Sequence, residues 1–300
     1  MRKLFVIVCI LVTPWLYGRS YLDVGARIGL GGLAYDCNYG GTMPGYHAAF
    51  DIGYLYKSPY WIAFRVGATI EAASSSYRKA DYEDAYTTTD VEGEEMKVQY
   101  SIGVLRERHS GYAVSFPVQL GFHIDHFTFL IGPRFTLPLG ASWKETLTEA
   151  SLAVYYPKYE NLVEESYPLA ASKSFSMEQS GDLVIPKWDC SLTGELMYDF
   201  LVHSQYGKAE SFVSVGVYFD AGLMKAPTYP DQEQWGVLHL TDTRDGFPLT
   251  RVLNPVLAAW HEQAPLVTKF SSFAVGFKVA YHLTSAPRQR RTHKGCNCDE

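Results

Sequence analysis

The sequence predicts an all-β fold: an up-and-down antiparallel transmembrane β-barrel with long extracellular loops, eight strands in the preferred count and ten in the alternative. Three observations predict it. Long segments alternate apolar with polar or small residues, the connections between them are alternately short and long, and aromatic residues gather at the ends joined by the short connections. A strand sends successive side chains to opposite faces, so each such segment has one face for lipid and one for a lumen.

Ile62 to Ala72 shows the pattern most plainly. Ile62, Phe64, Val66, Ala68, Ile70 and Ala72 occupy one face, and Arg65, Gly67, Thr69 and Glu71 the other. Seven further segments repeat it, at Leu22–Leu30, Ala48–Tyr56, Val114–Phe122, Phe127–Leu139, Trp188–Phe200, Val213–Ala221 and Phe273–Tyr281. Each has the ~9–11 residues that cross a bilayer at a tilt. Met96 to Val104 alternates as well but falls inside an expected outer loop. It reads as one arm of an outer hairpin whose loop is Arg106–Gly111. Trp235–Leu240 would make a tenth strand but is short.

The connections expected on the periplasmic side are Lys57–Tyr60, Ile124–His126 and Leu201–Glu210; those expected outside are Gly31–Gly45, Glu71–Tyr112, Gly140–Lys187 and Gly222–Lys269. Short inner turns with long outer loops are the habit of bacterial outer-membrane barrels. Tyr54, Tyr56, Tyr60, Trp61, Phe122, Phe127, Tyr198, Phe200 and Tyr281 fall at the short-turn ends, as an interfacial girdle does.

The flanks fit export. Met1-Arg2-Lys3, a mostly apolar stretch from Leu4 to Leu16 and the small-x-small Gly18-Arg19-Ser20 read as a signal peptide over residues 1–20. Residues 21–284 are then the barrel and 285–300 a flexible, basic periplasmic tail. A net charge of −6 gives no reason to expect nucleic acid as a partner.

The polar faces gather charge. Asp23, Arg27, Asp51, Arg65, Glu71, Arg134, Asp189, Glu195, Asp199 and Lys278 would share a narrow lumen, where unpaired charge is costly, so they are expected to pair into a network that fills and closes it. The last outer loop offers a helix capped by Asn254 and begun by Pro255. Its Val256, Leu257 and Trp260 share a face that either covers the barrel's own mouth or binds a partner.

Two segments resemble a known family: Tyr112-Ala113-Val114-Ser115-Phe116-Pro117-Val118-Gln119-Leu120-Gly121-Phe122, and Phe129-Leu130-Ile131-Gly132-Pro133-Arg134-Phe135. They are similar to strands of the PorT-like outer-membrane β-barrel proteins of Bacteroidetes-type bacteria, relatives in shape of the OmpX-like barrels. The resemblance implies a barrel in the outer membrane of a Gram-negative bacterium, and it leaves the function open. The outer loops and the tail beyond residue 284 are longer than the family pattern.

No residue set points to catalysis. Asp242, Asp245 and His239 have no spacing that fixes them as a rim hydrolase, and the acidic run from Asp81 to Glu95 lacks calcium-loop spacing, so it reads as solvated. No metal or cofactor is expected. Cys37 and Cys190 lie on strands that are not neighbours, so a bond would need the Cys37 loop to reach across. Cys296 and Cys298 belong to the tail. The expectation is a non-enzymatic barrel in contact with outer-membrane lipid. Its outer loops bind an envelope protein or a surface ligand, as an anchoring subunit or an adhesin. A small pore is the alternative and a rim hydrolase the third reading.

Overall fold

The computed structural model describes residues 18–89, 93–159, 161–162, 174–183, 187–202, 211–223, 226–227, 236–241, 250–261 and 264–284. Residues 1–17 of the expected leader over residues 1–20 and the tail beyond residue 284 lie outside the described residues, while Arg19 and Ser20 of that leader already pair with Lys57 and Tyr56.

Eight antiparallel strands form the wall: β1 Arg19–Cys37, β2 Gly41–Lys57, β3 Ile62–Thr89, β4 Glu95–Ile124, β5 Phe127–Tyr156, β6 Asp189–Val202, β7 Ser211–Gly222 and β8 Val267–Thr284. Each pairs with the next, and β8 pairs with β1, so the sheet closes on itself. Of the expected Trp235–Leu240 strand, the described residues 236–240 add no wall strand. Leu238–Thr241 pairs instead with Thr250–Leu253 in a separate two-stranded ladder.

Register fixes the shape. A path across the strands leaves β1 at Ser20 and passes Tyr56, Phe64, Leu120, Ile131, Gly194, Phe219 and Val275. It returns to β1 at Leu30, ten residues farther along. With eight strands at ordinary spacings, this stagger tilts the strands roughly 40° from the axis and leaves a lumen that side chains can fill. Large apolar side chains, among them Ile28, Phe50, Ile70, Leu120, Phe135, Leu196, Val217 and Phe277, are exposed around the outside. That continuous apolar belt is a lipid-facing surface. Of the expected girdle, Tyr60, Trp61, Phe122, Phe127, Phe200 and Tyr281 are exposed, but Tyr56 is buried. The β4–β5 turn shows how tight that end is: Asp125 adopts φ 50°, the left-handed conformation that a two-residue hairpin needs.

On the opposite side β3, β4 and β5 continue well past the lipid belt, with lengths of 28, 30 and 30 residues. The expected Arg106–Gly111 loop is therefore strand, paired residue by residue with β3 and β5. Met96–Val104 is the outer half of β4, not a separate strand.

The alternation misled because its phase reverses. Leu105, Glu107 and His109 point inward at odd numbers, whereas Met96, Val98, Tyr100 and Ile102 point inward at even ones. The same reversal falls between Tyr77 and Tyr82 on β3 and between Leu147 and Ala150 on β5. Asp81 and Glu149 take positive φ there, at 49° and 55°. All three strands shift together, so their pairing continues across the break.

Above the belt the lumen side turns apolar. Tyr77, Tyr82, Met96, Val98, Ile102, Leu105, Trp143, Leu147 and Leu152 pack with Leu238, Leu253, Val256 and Leu257 into a core of their own. This cap sits on the barrel as a small β-structured unit. The Phe175–Asp182 strand extends it by pairing with β5.

Candidate functional site

The lumen is layered. At the short-turn end Tyr21, Leu55, Ala63, Leu130 and Phe212 form a small apolar cluster. Above it stand the charges. Arg27 Nε donates to Asp51 at 2.7 Å, and its Nη2 donates to Glu195 at 2.8 Å. Arg65 binds Asp23, reaches Glu195 at 3.3 Å and donates to Gln119 at 3.1 Å. Lys278 Nζ donates to Glu195 at 2.8 Å and lies 3.5 Å from Asp51. Arg134 binds Glu71, meets Asp220 at 2.5 Å and donates to Ser115 at 2.9 Å. Every one of these groups comes from a lumen-facing strand position, so the barrel's own register assembles the cluster.

Asp199 joins from below through Lys57 at 2.5 Å and Ser214 at 2.6 Å. Asp189 stands apart at the rim, where it accepts from Ser272 Oγ at 2.6 Å. Sequence reasoning missed Asp220, Gln119, His47, Lys57 and His282. Asp220 and Gln119 lie on polar faces whose alternation is legible, and Lys57 falls in the connection expected at Lys57–Tyr60. Following β2's lumen phase from Asp51 through Gly53 and Leu55 reaches Lys57 without a break.

Next comes a cavity of about 320 Å³. His47, Glu71, Arg134 and Asp220 line its inner end, and Leu33, Leu183 and Phe270, which belong to or pack on the cap core, line its outer end. His47 Nε2 lies 3.0 Å from Glu71 and its Nδ1 lies 2.6 Å from Tyr218 OH.

The cap closes the top. Residues 254–259 form a single turn and not the expected helix, with Ala258 and Ala259 N–H donating to the Pro255 carbonyl. Val256 and Leu257 are buried in the cap core and Trp260 is partly buried, so these side chains cover the mouth and leave no apolar helix face outside. Asn254 does not cap the turn; its amide donates to the Gly236 carbonyl at 2.9 Å. What holds the turn is the Val256 N–H, which donates to buried Glu107 at 2.8 Å.

Glu107 also binds His109 and stands opposite Glu145 across β4 and β5. Burial, then the neighbouring Glu107, push the Glu145 carboxyl well above the usual carboxylate range. A raised carboxyl holds its proton in the folded cap after the unfolded chain has released it. Its stabilising contribution is thus full below the ordinary carboxylate value, about 4.3, and falls as pH rises through and beyond it. Glu145→Gln keeps the shape and removes the titrating group. Above pH 6 it is expected to stabilise the cap by about 1–3 kcal/mol, with no gain at pH 4. Limited proteolysis across that pH range measures this; a gain of equal size at pH 4 would contradict the assignment.

Cys37 and Cys190 are free thiols. Among the described residues no cluster of three or more His, Cys, Asp or Glu has the arrangement of a metal site. Asp242 and Asp245 lie outside the described residues. His239 is buried, with its Nδ1 3.0 Å from the Asn254 amide nitrogen. Asp84, expected in a solvated loop, is strand and accepts from Tyr100 at 3.0 Å.

No protein-family model matches the chain, and no curated protein matches it. Among solved structures the chain is similar to Ail, the attachment invasion locus protein of Yersinia pestis, crystallised in complex with the heparin analogue sucrose octasulfate. The identity is 8%, the match covers 88% of this chain and 99% of that one, and the TM-score is 0.21. The assignment of a transmembrane barrel stands on the closed register and the lipid-facing belt.

Proposed function

We propose that this chain is an outer-membrane protein of a Gram-negative cell that works by binding at its outer face, as an anchoring subunit of an envelope assembly or as a surface adhesin, and neither conducts solutes nor catalyses a reaction. The observation that carries the reading is the continuation of β3, β4 and β5 beyond the belt into a cap with its own core. Extended strands held by a packed interior make a rigid platform, and rigid platforms bind with less ordering cost than free loops. Kinship with PorT-like barrels fits the strand motifs at Tyr112–Phe122 and Phe129–Phe135.

The closed lumen argues against a pore. Ion pairs span its middle, and the cap core lies across its outer end. The full chain reconstituted in planar bilayers is therefore expected to give no channel steps. Stable unit conductances from protein that still migrates as a heat-modifiable band would overturn the closed-lumen reading. For the binding role, crosslinking on intact cells followed by a mild-detergent pull-down is expected to recover a defined stoichiometric partner or surface polymer. Recovery of the chain alone from cells that retain their envelope assemblies would count against it.

A further inference from the structure

The outer surface of β3–β5 sorts its charge by height. On β4 the exposed, lipid-facing Phe116 and Tyr112 are followed on the same side of the strand by Arg108 and Arg106. Their neighbours Leu105, Glu107 and His109 are buried, so both arginines point outward. Arg78 of β3 stands directly opposite Arg106, and Lys144 of β5 directly opposite Arg108; both are exposed as well. Two like-charged pairs therefore lie on neighbouring outward rows, an arrangement that destabilises a sheet. Little in the protein offsets it. Lys144 Nζ donates to Glu178 at 2.6 Å, and exposed Asp182 lies on the same strand as Glu178, opposite Ser142. Among the described residues no carboxylate pairs with Arg78, Arg106 or Arg108. The exposed acids in the outer halves of β3–β5, Asp81, Glu83, Glu95 and Glu149, all stand at or beyond the phase break, farther from the belt.

Contacts place the cations at the rim of the belt. The Arg108 guanidinium lies 5.9 Å from the centroid of the exposed Tyr46 ring. Ser76, opposite Arg108, pairs on its other side with exposed Met43. Exposed aromatic side chains of this kind mark the interfacial level of a bilayer. Arg108 follows Tyr112 four residues up the strand, about 10 Å farther from the membrane centre at an ordinary rise and tilt. An arginine side chain there reaches the layer of lipid head groups that surrounds a barrel.

We infer that Arg78, Arg106 and Arg108 form a site on the outside of the wall for the phosphate of a phosphorylated glycolipid of the outer leaflet. The inference rests on the outer-membrane placement proposed above. Directly opposed residues in a sheet hold their Cβ atoms about 5 Å apart and diagonal ones about 7–8 Å, so two guanidinium forks can share one phosphate. The fork matches phosphate oxygens in a bidentate manner, which lysine does not. A bound phosphate turns the mutual repulsion of the arginines into attraction to a common anion. The occupant is a lipid because the cations continue the lipid-facing file of β4 without a change of side. One molecule can lay its acyl chains against Phe116 and Tyr112 and set its phosphate among the arginines.

The test uses the full chain refolded into phosphatidylcholine vesicles that contain diphosphoryl lipid A, lipid A stripped of both phosphates, or neither. Lipid retained per barrel is counted by native mass spectrometry after release into mild detergent. The wild type is expected to retain the diphosphoryl form. Retention should weaken roughly fivefold for each arginine lost in Arg106→Gln and in Arg106→Gln/Arg108→Gln, and it should fall as salt rises. Lys97→Gln, at an exposed cation higher on β4, is expected to leave it unchanged. Denaturant midpoints should shift in opposite directions. Without lipid phosphate Arg106→Gln relieves a like-charged pair and raises the midpoint; with diphosphoryl lipid A it lowers it. Equal retention of the two lipid A forms, or the same midpoint shift in every vesicle, would overturn the site. Displacement of lipid A by equimolar inositol hexakisphosphate would overturn the lipid as occupant and give the arginines to a soluble polyanion. A chain that inserts into none of the vesicles would sink the outer-membrane placement itself, and the site with it.

Discussion

Arg65→Met is expected to cost the barrel about 3–5 kcal/mol, the usual penalty for removing one partner of a buried ion pair. Arg65 is buried, with its guanidinium shared among Asp23, Glu195 and Gln119. Glu195 keeps Arg27 and Lys278 after the substitution. Asp23 does not fare as well: its remaining neighbours are Lys278 at 3.9 Å and His282 at 3.5 Å. The penalty thus falls mainly on one stranded carboxylate. Adding Asp23→Asn to Arg65→Met should recover a large part of the loss, and the two single changes should not add. Denaturant midpoints of the barrel in lipid vesicles measure all three variants. Simple additivity, or an Arg65→Met midpoint equal to the wild type, would refute the idea that these charges act as one network.

The lumen charges were legible because the bilayer makes the contrast extreme. Within the belt one face meets hydrocarbon and the other meets ions, so Phe64 and Arg65 differ in the sharpest way that neighbours can. Beyond the belt that contrast fades, since one face meets water and the other a protein core. The break at Asp81 and Glu149 then reverses the phase, and a reader who keeps the original phase cuts β4 in two. The turn at Pro255 illustrates a different limit. Helical spacing from Val256 to Trp260 is real in the sequence, but the carboxylate that catches the Val256 N–H comes from Glu107, 149 residues away. No local pattern announces such a partner.

Leu105→Ala separates the two parts of the molecule. Leu105 is fully buried at the centre of the cap core, opposite Leu147 on β5. Removing its side-chain methyls there should cost about 2–5 kcal/mol. The cap has only its own core and strand pairs to absorb that loss. The eight-stranded wall below is closed on itself, and each backbone group in the bilayer depends on that closure. The loss should therefore stay local. Externally added protease is expected to cleave β3–β5 beyond the belt in the variant within a time that leaves the wild type intact, while the protected fragment still migrates as a folded barrel. Bilayer recordings should stay silent too, because the Arg27, Arg65 and Lys278 layer remains across the lumen. If the heat-modifiable band disappears together with protease resistance, the cap and the barrel fold as one unit. The cap's core would then be a condition of the barrel's existence, not a platform standing on it.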